Sequence, residues 1–473
     1  MDKPCVVFWF RQDLRLADNP AFCAAVKAGT VLPIYILDDV NSGRAKMGAA
    51  SRVWLHHSLH SLNRALGSKL SVLSGDARTV IMALTKKEKI KEVFWNRCYE
   101  PWQILRDKKI KHDLEESAVK VSSYNASLLW EPWEVLKGDG TPYKVFTPYY
   151  KNGCLQVMPP RTPRLAPEKM RLADAPKGSL SIDGLDLLPV TTWSSKMMRH
   201  HKVGEMAAHS RLATFLSDEL QDYKVGRDVP SAKAISRLSP HLHFGEISPH
   251  QVWFAAKEQM KDENLQCFLS ELGWREFSYY LLYHFPGLPT KNFRPNFDKF
   301  PWSTSTKQLR AWEKGLTGIP IVDAGMRELW QTGIMHNRVR MITASLLTKN
   351  LLIDWRKGER WFWDCLIDAD LASNTAGWQW VAGSGADAAP YFRIFNPVTQ
   401  AKKFDPQAQY ILKYVPELAK LPLKYVFAPW EAPARVLNEA GVVLGETYPT
   451  PIVDLKTSRT LALEAFSAIK GVS

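Results

Sequence analysis

Cys5–Val6–Val7–Phe8–Trp9–Phe10, followed by Arg11–Gln12–Asp13–Leu14–Arg15, is the stretch from which the architecture of this chain is read. Six apolar residues without helical spacing, stopped by an arginine, describe a strand buried on both faces. Similar segments stand at 31–37, 70–73, 92–95 and 119–122, with amphipathic stretches between them at 20–28 and 51–66. Strands alternating with helices predict a parallel sheet covered on both faces. The turn after the first strand holds no Gly-x-Gly-x-x-Gly, so a dinucleotide lying across this sheet in the usual way is not expected.

Beyond the fifth strand the texture changes. Residues 131–192 are rich in Pro and Gly and read as a long linker, ordered in part by Tyr143–Phe146. From about residue 195 strand patterns nearly vanish, and segments at 205–220, 249–259, 267–283, 324–331 and 338–352 carry helical apolar spacing. The expected organisation is therefore an α/β domain at 1–130, a linker at 131–195 and an all-α domain at 196–473.

The 473 residues carry 62 Lys and Arg against 48 Asp and Glu, a net charge of +14, which fits a partner bearing phosphate. An inert basic surface has the same composition. The six cysteines include no Cys-x-x-Cys pair, which argues against a zinc site or a disulfide framework and suits a reducing cytoplasm. The run at 5–10 is too short for a signal peptide, and no stretch is long and apolar enough to span a bilayer. No metal and no membrane partner are expected.

Four constellations carry chemistry. The run 368–380 holds Asp368, Asp370, Asn374, Trp378 and Trp380. Asp370, Asn374 and Trp378 lie four apart, so a helix would stack them on one face. Carboxylates can accept from sugar hydroxyls, an amide can donate to a ring nitrogen, and an indole can stack or pass an electron. An aromatic core helix has the same pattern. Ser236–Arg237–Leu238–Ser239–Pro240, with Gly245, reads as a helix start suited to a phosphate oxygen, or as an ordinary Ser-Pro cap. Glu271, Trp274 and Arg275 share a helical face as acceptor, stacking platform and phosphate-binding guanidinium, or as a salt-bridged aromatic helix. Asn337 and Met341 share another, with Arg338 and Arg340 turned elsewhere. Trp302 and Trp355, taken alone, are core residues.

Together these segments, with Phe10–Arg15, Tyr143–Pro148, Met335–Arg338, Leu352–Trp355 and Arg393–Pro397, resemble the photolyase/cryptochrome family over essentially the whole chain, most nearly the microbial cyclobutane-pyrimidine-dimer photolyases. The resemblance implies a Rossmann-like antenna domain followed by an all-α domain holding FAD. It places Tyr223, Ile235, Ser236, Arg237, Leu238 and Ser239 at the flavin phosphates and ribityl chain. Arg275, Asp368, Ala369 and Asp370 fall around the isoalloxazine and its ribose, with Arg340 pairing Asp368 and Asn374 facing flavin N5. Trp378, Trp355 and Trp302 match the electron-relay tryptophans. Glu271, Trp274, Asn337, Met341 and Trp380 match the lesion pocket, Asn337 also bordering the cofactor, and Arg227, Arg338 and Arg393 the surrounding phosphate contacts. Arg275 belongs to both sets.

The implied activity is light-driven repair of pyrimidine dimers in UV-damaged DNA by a monomer. Two departures stand out. Ile235 replaces the hydroxyl residue many relatives carry, leaving a backbone contact. In the antenna site Glu100 fits the acid that meets methenyltetrahydrofolate, while Pro289–Thr290 replaces a Cys-Lys pair, so folate is expected with 8-hydroxy-5-deazaflavin as the alternative. A cryptochrome-type photoreceptor shares the fold and tryptophans but would carry a degraded lesion pocket. A (6-4) photolyase would want histidine in place of Asn337.

Overall fold

The computed structural model describes residues 4–391 and 393–470. Five strands, β1 (Cys5–Phe10), β2 (Thr30–Leu37), β3 (Ser71–Ser74), β4 (Glu92–Asn96) and β5 (Lys120–Tyr124), form one parallel sheet in the order β3-β2-β1-β4-β5. Helices α1 (Pro20–Ala28), α2 (Ala49–Ala65), α3 (Ala77–Lys87) and α4 (Pro101–Glu116) connect them. Every expected strand is present, because burial on both faces leaves an uninterrupted apolar signature in each central strand. Val7, Trp9, Leu32, Ile34, Val93 and Trp95 form one core with Ile81 and Leu84 of α3 and Ile110 and Leu114 of α4. Pro33 interrupts β2, yet it pairs only with Phe8 of β1, one residue before the β3 ladder opens at Ile34 and Ser71. A residue without an N–H is tolerated where pairing is one-sided.

The Pro- and Gly-rich stretch is not loose. Leu172 bridges Val31 and Leu180 bridges Val72, which fastens it to β2 and β3. Contacts gather the chain into two compact units, each discontinuous in sequence. The first comprises Met1–Gln221, Ser236–Pro286 and Ile367–Ala372; the second comprises Asp222–Ile235, Gly287–Leu366 and Ser373–Ser473.

In the first unit the helical segment 236–286 packs against the loop after β1. Leu14 N–H donates to Phe244 O at 3.1 Å. Gly245 has φ +68°, and a Cβ there would stand 2.1 Å from Gln12 O, so both the conformation and the close approach require glycine. The second unit is built from helices such as Pro320–Thr332, Asn337–Ser345, Trp355–Cys365 and Leu455–Lys470. Two expected helices end early in wider turns, Phe215–Glu219 after Thr214 and Leu346–Asn350 after Ser345. No helix among the described residues is long and apolar enough to cross a membrane.

Candidate functional site

Ligands of doubly wound sheets usually bind outside the strand ends where the strand order reverses, here between β1 and β4. In this chain that place is filled from within. Asn96 Nδ2 donates to Asp13 Oδ2 at 2.5 Å and to Asn19 Oδ1 at 2.7 Å. Arg11 pairs with Asp107 and donates to Asn96 O. Arg15, 1% exposed, donates to the carbonyls of Gly245, Asp18 and Ala126 at 2.8–2.9 Å. The side chains that follow β1 therefore hydrogen-bond across this crevice to one another and to Asn96 at the end of β4.

A different part of the first unit is open. In Ser236–Ser239 the backbone turns left-handed at Arg237 (φ +52°) and right-handed at Leu238 (φ −88°, ψ −6°). Successive residues of opposite hand direct neighbouring N–H groups into one concavity, which suits a phosphate oxygen. Ser236 is half-buried and Ser239 exposed, while Leu238 is buried and pins the loop. Arg211 holds the Ser236 carbonyl at 2.8 Å. Ser239 Oγ donates to Asp368 Oδ2 at 2.6 Å, joining the loop to the acidic run. Asp368 and Asp370 are buried, held on a backbone whose Ile367, Ala369 and Ala372 are buried beside them. Tyr279 O–H donates to Asp370, and burial raises the Tyr279 pKa well above its usual value. His243 Nδ1 lies 3.5 Å from Asp370 Oδ2, outside hydrogen-bond geometry, and is a buried nitrogen with no hydrogen-bond partner among the described residues. Converging N–H groups, serine hydroxyls, two buried carboxylates and an imidazole nitrogen without a hydrogen-bond partner among the described residues are a donor and acceptor set that fits a pyrophosphate-bridged, ribityl-bearing cofactor.

Asp370 itself differs from its expected place. The helix begins at Leu371 and runs to Ala382, so Asp370 precedes it and is not stacked under Asn374 and Trp378. Its carboxylate is turned instead toward Tyr279 and His243.

The helix Glu263–His284 carries the second constellation. Asp262 caps it by accepting from Leu265 N–H. Most of its later turns are buried, but Cys267, Ser270, Glu271, Trp274 and Arg275 are only half-buried. Their spacing of three and four makes one stripe, so Glu271, Trp274 and Arg275 share an accessible face as expected. Trp274 stacks on Phe146 at 3.8 Å between centroids and 11° between planes, and Phe146 stacks on Tyr150 at 5.5 Å. This column holds the indole rigid. Gly273 makes room for it, since a Cβ there would stand 2.6 Å from the Tyr150 ring. Arg275 donates to Ser127 O at 2.8 Å and to Glu276 Oε1 at 3.1 Å, and lies 5.0 Å over the Tyr279 ring. Burial pushes the Glu276 carboxyl up to about 7 against the opposing pull of Arg275.

Glu100, the expected antenna acid, is 4% exposed and accepts from Trp102 Nε1 at 2.6 Å. Burial, and then the neighbouring Asp370 charge, push its pKa up to about 7. It therefore shares the electrostatic surroundings of the acidic run.

The remaining predicted residues lie in the second unit. Trp378 is 3% exposed, edge-on to Phe362 at 4.9 Å and to Trp312 at 6.0 Å. Gly358 admits it, because a Cβ there would meet the indole at 2.2 Å. Trp355 is fully buried and donates to Asn292 Oδ1 at 2.9 Å. Trp302 is half-buried against Phe300. Burial thus falls from Trp378 and Trp355 to Trp302. Asn374 and Trp380 lie on the less buried side of their helix, and Asn374 Nδ2 donates to Glu359 O and Oε1 at 3.1 and 3.2 Å.

Asn337 is exposed and Met341 half-buried at the start of their helix. Arg338 is not turned away from them. Residues three apart are neighbours on a helix, and its guanidinium lies 3.9 Å from Met341 Sδ, pairs with Asp228 at 2.6 Å and covers the Phe404 ring. Arg340 Nε donates to Met335 O at 2.7 Å. Tyr223 is buried with Arg227 over its ring at 5.6 Å, and Ile235 is half-buried. Arg393 is exposed.

Sequence reasoning missed Tyr279, His243, Gln379 and Lys349. Tyr279 is one turn beyond Arg275 on an already suspected face, so its spacing was a usable signal. Gln379 pins one loop at three points, Leu288 O, Lys291 O and Phe293 N–H, which no local pattern reveals. Buried Lys349 donates to the carbonyls of Tyr391 and Arg393, and burial lowers its pKa to about 8.

Known proteins resemble the chain throughout. Residues 268–468 match the family described as the FAD binding domain of DNA photolyase, and residues 6–168 the family described as DNA photolyase. The deoxyribodipyrimidine photo-lyase of Agrobacterium fabrum is 46% identical, over 98% of this chain and 98% of its own. Cryptochrome-2 of Arabidopsis thaliana is 38% identical, over 99% of this chain and 79% of its own. The crystal structure of a bacterial class III photolyase from Agrobacterium tumefaciens superimposes with a TM-score of 0.94 at 45% identity, over 100% of this chain and 99% of that one.

Proposed function

The chain belongs to the photolyase/cryptochrome family, and from that premise we propose that it repairs cyclobutane pyrimidine dimers in DNA with light. FAD is its cofactor; when bound, reduced FAD absorbs light and supplies the electron that opens the dimer. The accessible stripe Glu271–Trp274–Arg275 is the observation that carries the reading, since an aromatic plane beside an acceptor is what an extruded dimer of two linked pyrimidines needs. A dimer inside the duplex is out of reach, so it is flipped out, at modest cost because damaged bases already stack poorly. Trp274, made rigid by its stacked column, offers one plane, and Trp380 a second. Glu271 accepts from the lesion, and Asn337 and Met341 border it. Arg227, Arg338 and Arg393 meet flanking phosphates, so binding weakens steeply with salt.

In the cofactor pocket Ser236, Leu238 and Ser239 receive phosphate oxygens, with Tyr223, Ile235 and Arg237 beside them. Arg275, Asp368, Ala369, Asp370 and Arg340 surround the ring and ribose, and Asn374 offers its amide to the ring edge. Trp378, Trp355 and Trp302 carry an electron between pocket and solvent, from two buried indoles to a half-buried one. Glu100 contacts a second, light-harvesting chromophore, a folate or a deazaflavin. The functional division is an antenna domain at 1–130, a linker at 131–195 and a catalytic domain at 196–473. The protein acts as a monomer in the cytoplasm, where its six cysteines, none joined in a disulfide, stay reduced.

A blue-light receptor is the second reading, favoured by the likeness to Cryptochrome-2. A repair assay on chemically reduced protein and dimer-containing DNA separates the two: dimers lost only under blue or near-ultraviolet light support repair, and dimers untouched despite bound flavin support the receptor. In the same assay Trp378→Phe is expected to abolish light-driven reduction of the oxidised protein and to leave repair by pre-reduced protein intact. Unchanged photoreduction would remove Trp378 from the relay.

A further inference from the structure

Away from these residues, on the α/β part of the first unit, three ligand-type side chains converge. His56 and His60 lie one turn apart on α2 and present their Nε2 atoms to the same carboxylate oxygen, Asp183 Oδ1, at 3.7 and 3.4 Å. All three ligand atoms lie within 4.8 Å of one another. Asp183 opens a short turn, Asp183–Leu185, whose backbone is anchored by buried Ile182 and Leu185, while its own side chain is 75% exposed.

A hydrogen bond accounts for only one of the two contacts, since His60 Nε2 reaches Asp183 Oδ1 at 3.4 Å. At 3.7 Å the His56 contact is too long for a hydrogen bond. A cation between the three atoms would satisfy the oxygen and both nitrogens at once. Bonds of about 2.0–2.1 Å at the tetrahedral angle separate ligand atoms by about 3.4 Å, close to the two nitrogen-to-oxygen distances here. His56 Nδ1 has no partner among the described residues, so it can carry the ring proton while Nε2 binds. The absent acceptor for that proton limits affinity.

We propose that His56, His60 and Asp183 form a binding site for one late first-row divalent cation of the zinc class, with water completing the shell on the exposed side. Two imidazoles with one carboxylate select such an ion over magnesium or calcium, which take oxygen ligands. Occupied, the site staples the turn at 183–185, part of the long Pro- and Gly-rich stretch, to α2.

The test is calorimetric titration of zinc chloride into chelator-treated, tag-free, FAD-loaded protein. One equivalent is expected to bind. His60→Ala and Asp183→Asn should each weaken binding at least 10-fold, whereas His200→Ala should change it less than 2-fold. His60→Ala should also keep the thermal midpoint of the zinc-free protein and its light-dependent repair, which excludes misfolding as the cause. Binding of equal strength in wild type, His60→Ala and Asp183→Asn overturns the proposal, as does magnesium competing as well as zinc.

Discussion

Two polar regions of the first unit have almost the same ingredients and opposite fates. Beside the sheet, Arg11, Asp13, Arg15, Asp18, Asn19 and Asn96 are all less than a tenth exposed and are held by hydrogen bonds to one another, to Asp107, Arg161 and Ser248 and to backbone carbonyls. Among the described residues of this cluster only Arg11 Nε and Arg15 Nε are left over. Along the helix Glu263–His284 and the acidic run, Glu271, Trp274 and Arg275 stay half-open, and His243 keeps an unpartnered nitrogen. Charge in the first region holds two chain segments together, and charge in the second is left with capacity to receive something. Counting polar residues does not separate a structural cluster from a site, and leftover hydrogen-bonding groups, present in both regions, do not either; exposure of the side chains does.

Breaking the closed region should have the largest effect. Arg15→Met removes three hydrogen bonds from a buried guanidinium and leaves three carbonyls to find partners. It is expected to cost about 3–5 kcal/mol, read as a lower denaturation midpoint, with the DNA preference of the surviving folded protein unchanged. A loss below about 1 kcal/mol would mean that the cluster is not what closes the crevice.

In the open region the penalty moves from stability to binding. Trp274→Ala should reduce affinity for dimer-containing DNA by about 10- to 100-fold, the order expected for one stacking plane, and affinity for undamaged DNA by less than about 3-fold. Equal losses on both DNAs would place Trp274 with the structural aromatics.

The smallest effect is the most diagnostic of burial. Glu100 has a folded pKa raised to about 7 from 4.5, so between those values the folded state holds a proton that the unfolded state has released. Its contribution is fully present below pH 4.5 and is lost as pH rises through 7. Glu100→Gln should flatten that decline and gain on the order of 1–3 kcal/mol relative to wild type at pH 8, with little difference at pH 4.5. Parallel stability curves for the two proteins would show that Glu100 is hydrated in the folded state.

The sheet was legible because each strand announces itself within six or eight residues. Side-chain alternation and burial act over the same short range as the sequence window. The stripe of Glu271, Trp274 and Arg275 was legible for the same reason, as helical spacing is local. Asp370 was misplaced by one residue, because a helix start is set by capping and by the partners outside it, here Tyr279 and His243, which lie about ninety and more than a hundred residues earlier. Arg338 was misread for a like cause: its partners Asp228 and Phe404 are remote in sequence.

By itself, then, the chain's sequence determined the element order, the parallel sheet without a glycine loop, the stripe on one long helix and, through its ordered motifs, the family. Tertiary structure alone decided which charged groups satisfy one another and which remain available, and it alone brought His56 and His60 to Asp183. The physical reason is range. Periodicity is written in neighbouring residues, whereas hydrogen-bond saturation and ligand geometry depend on atoms that only folding brings within 4 Å.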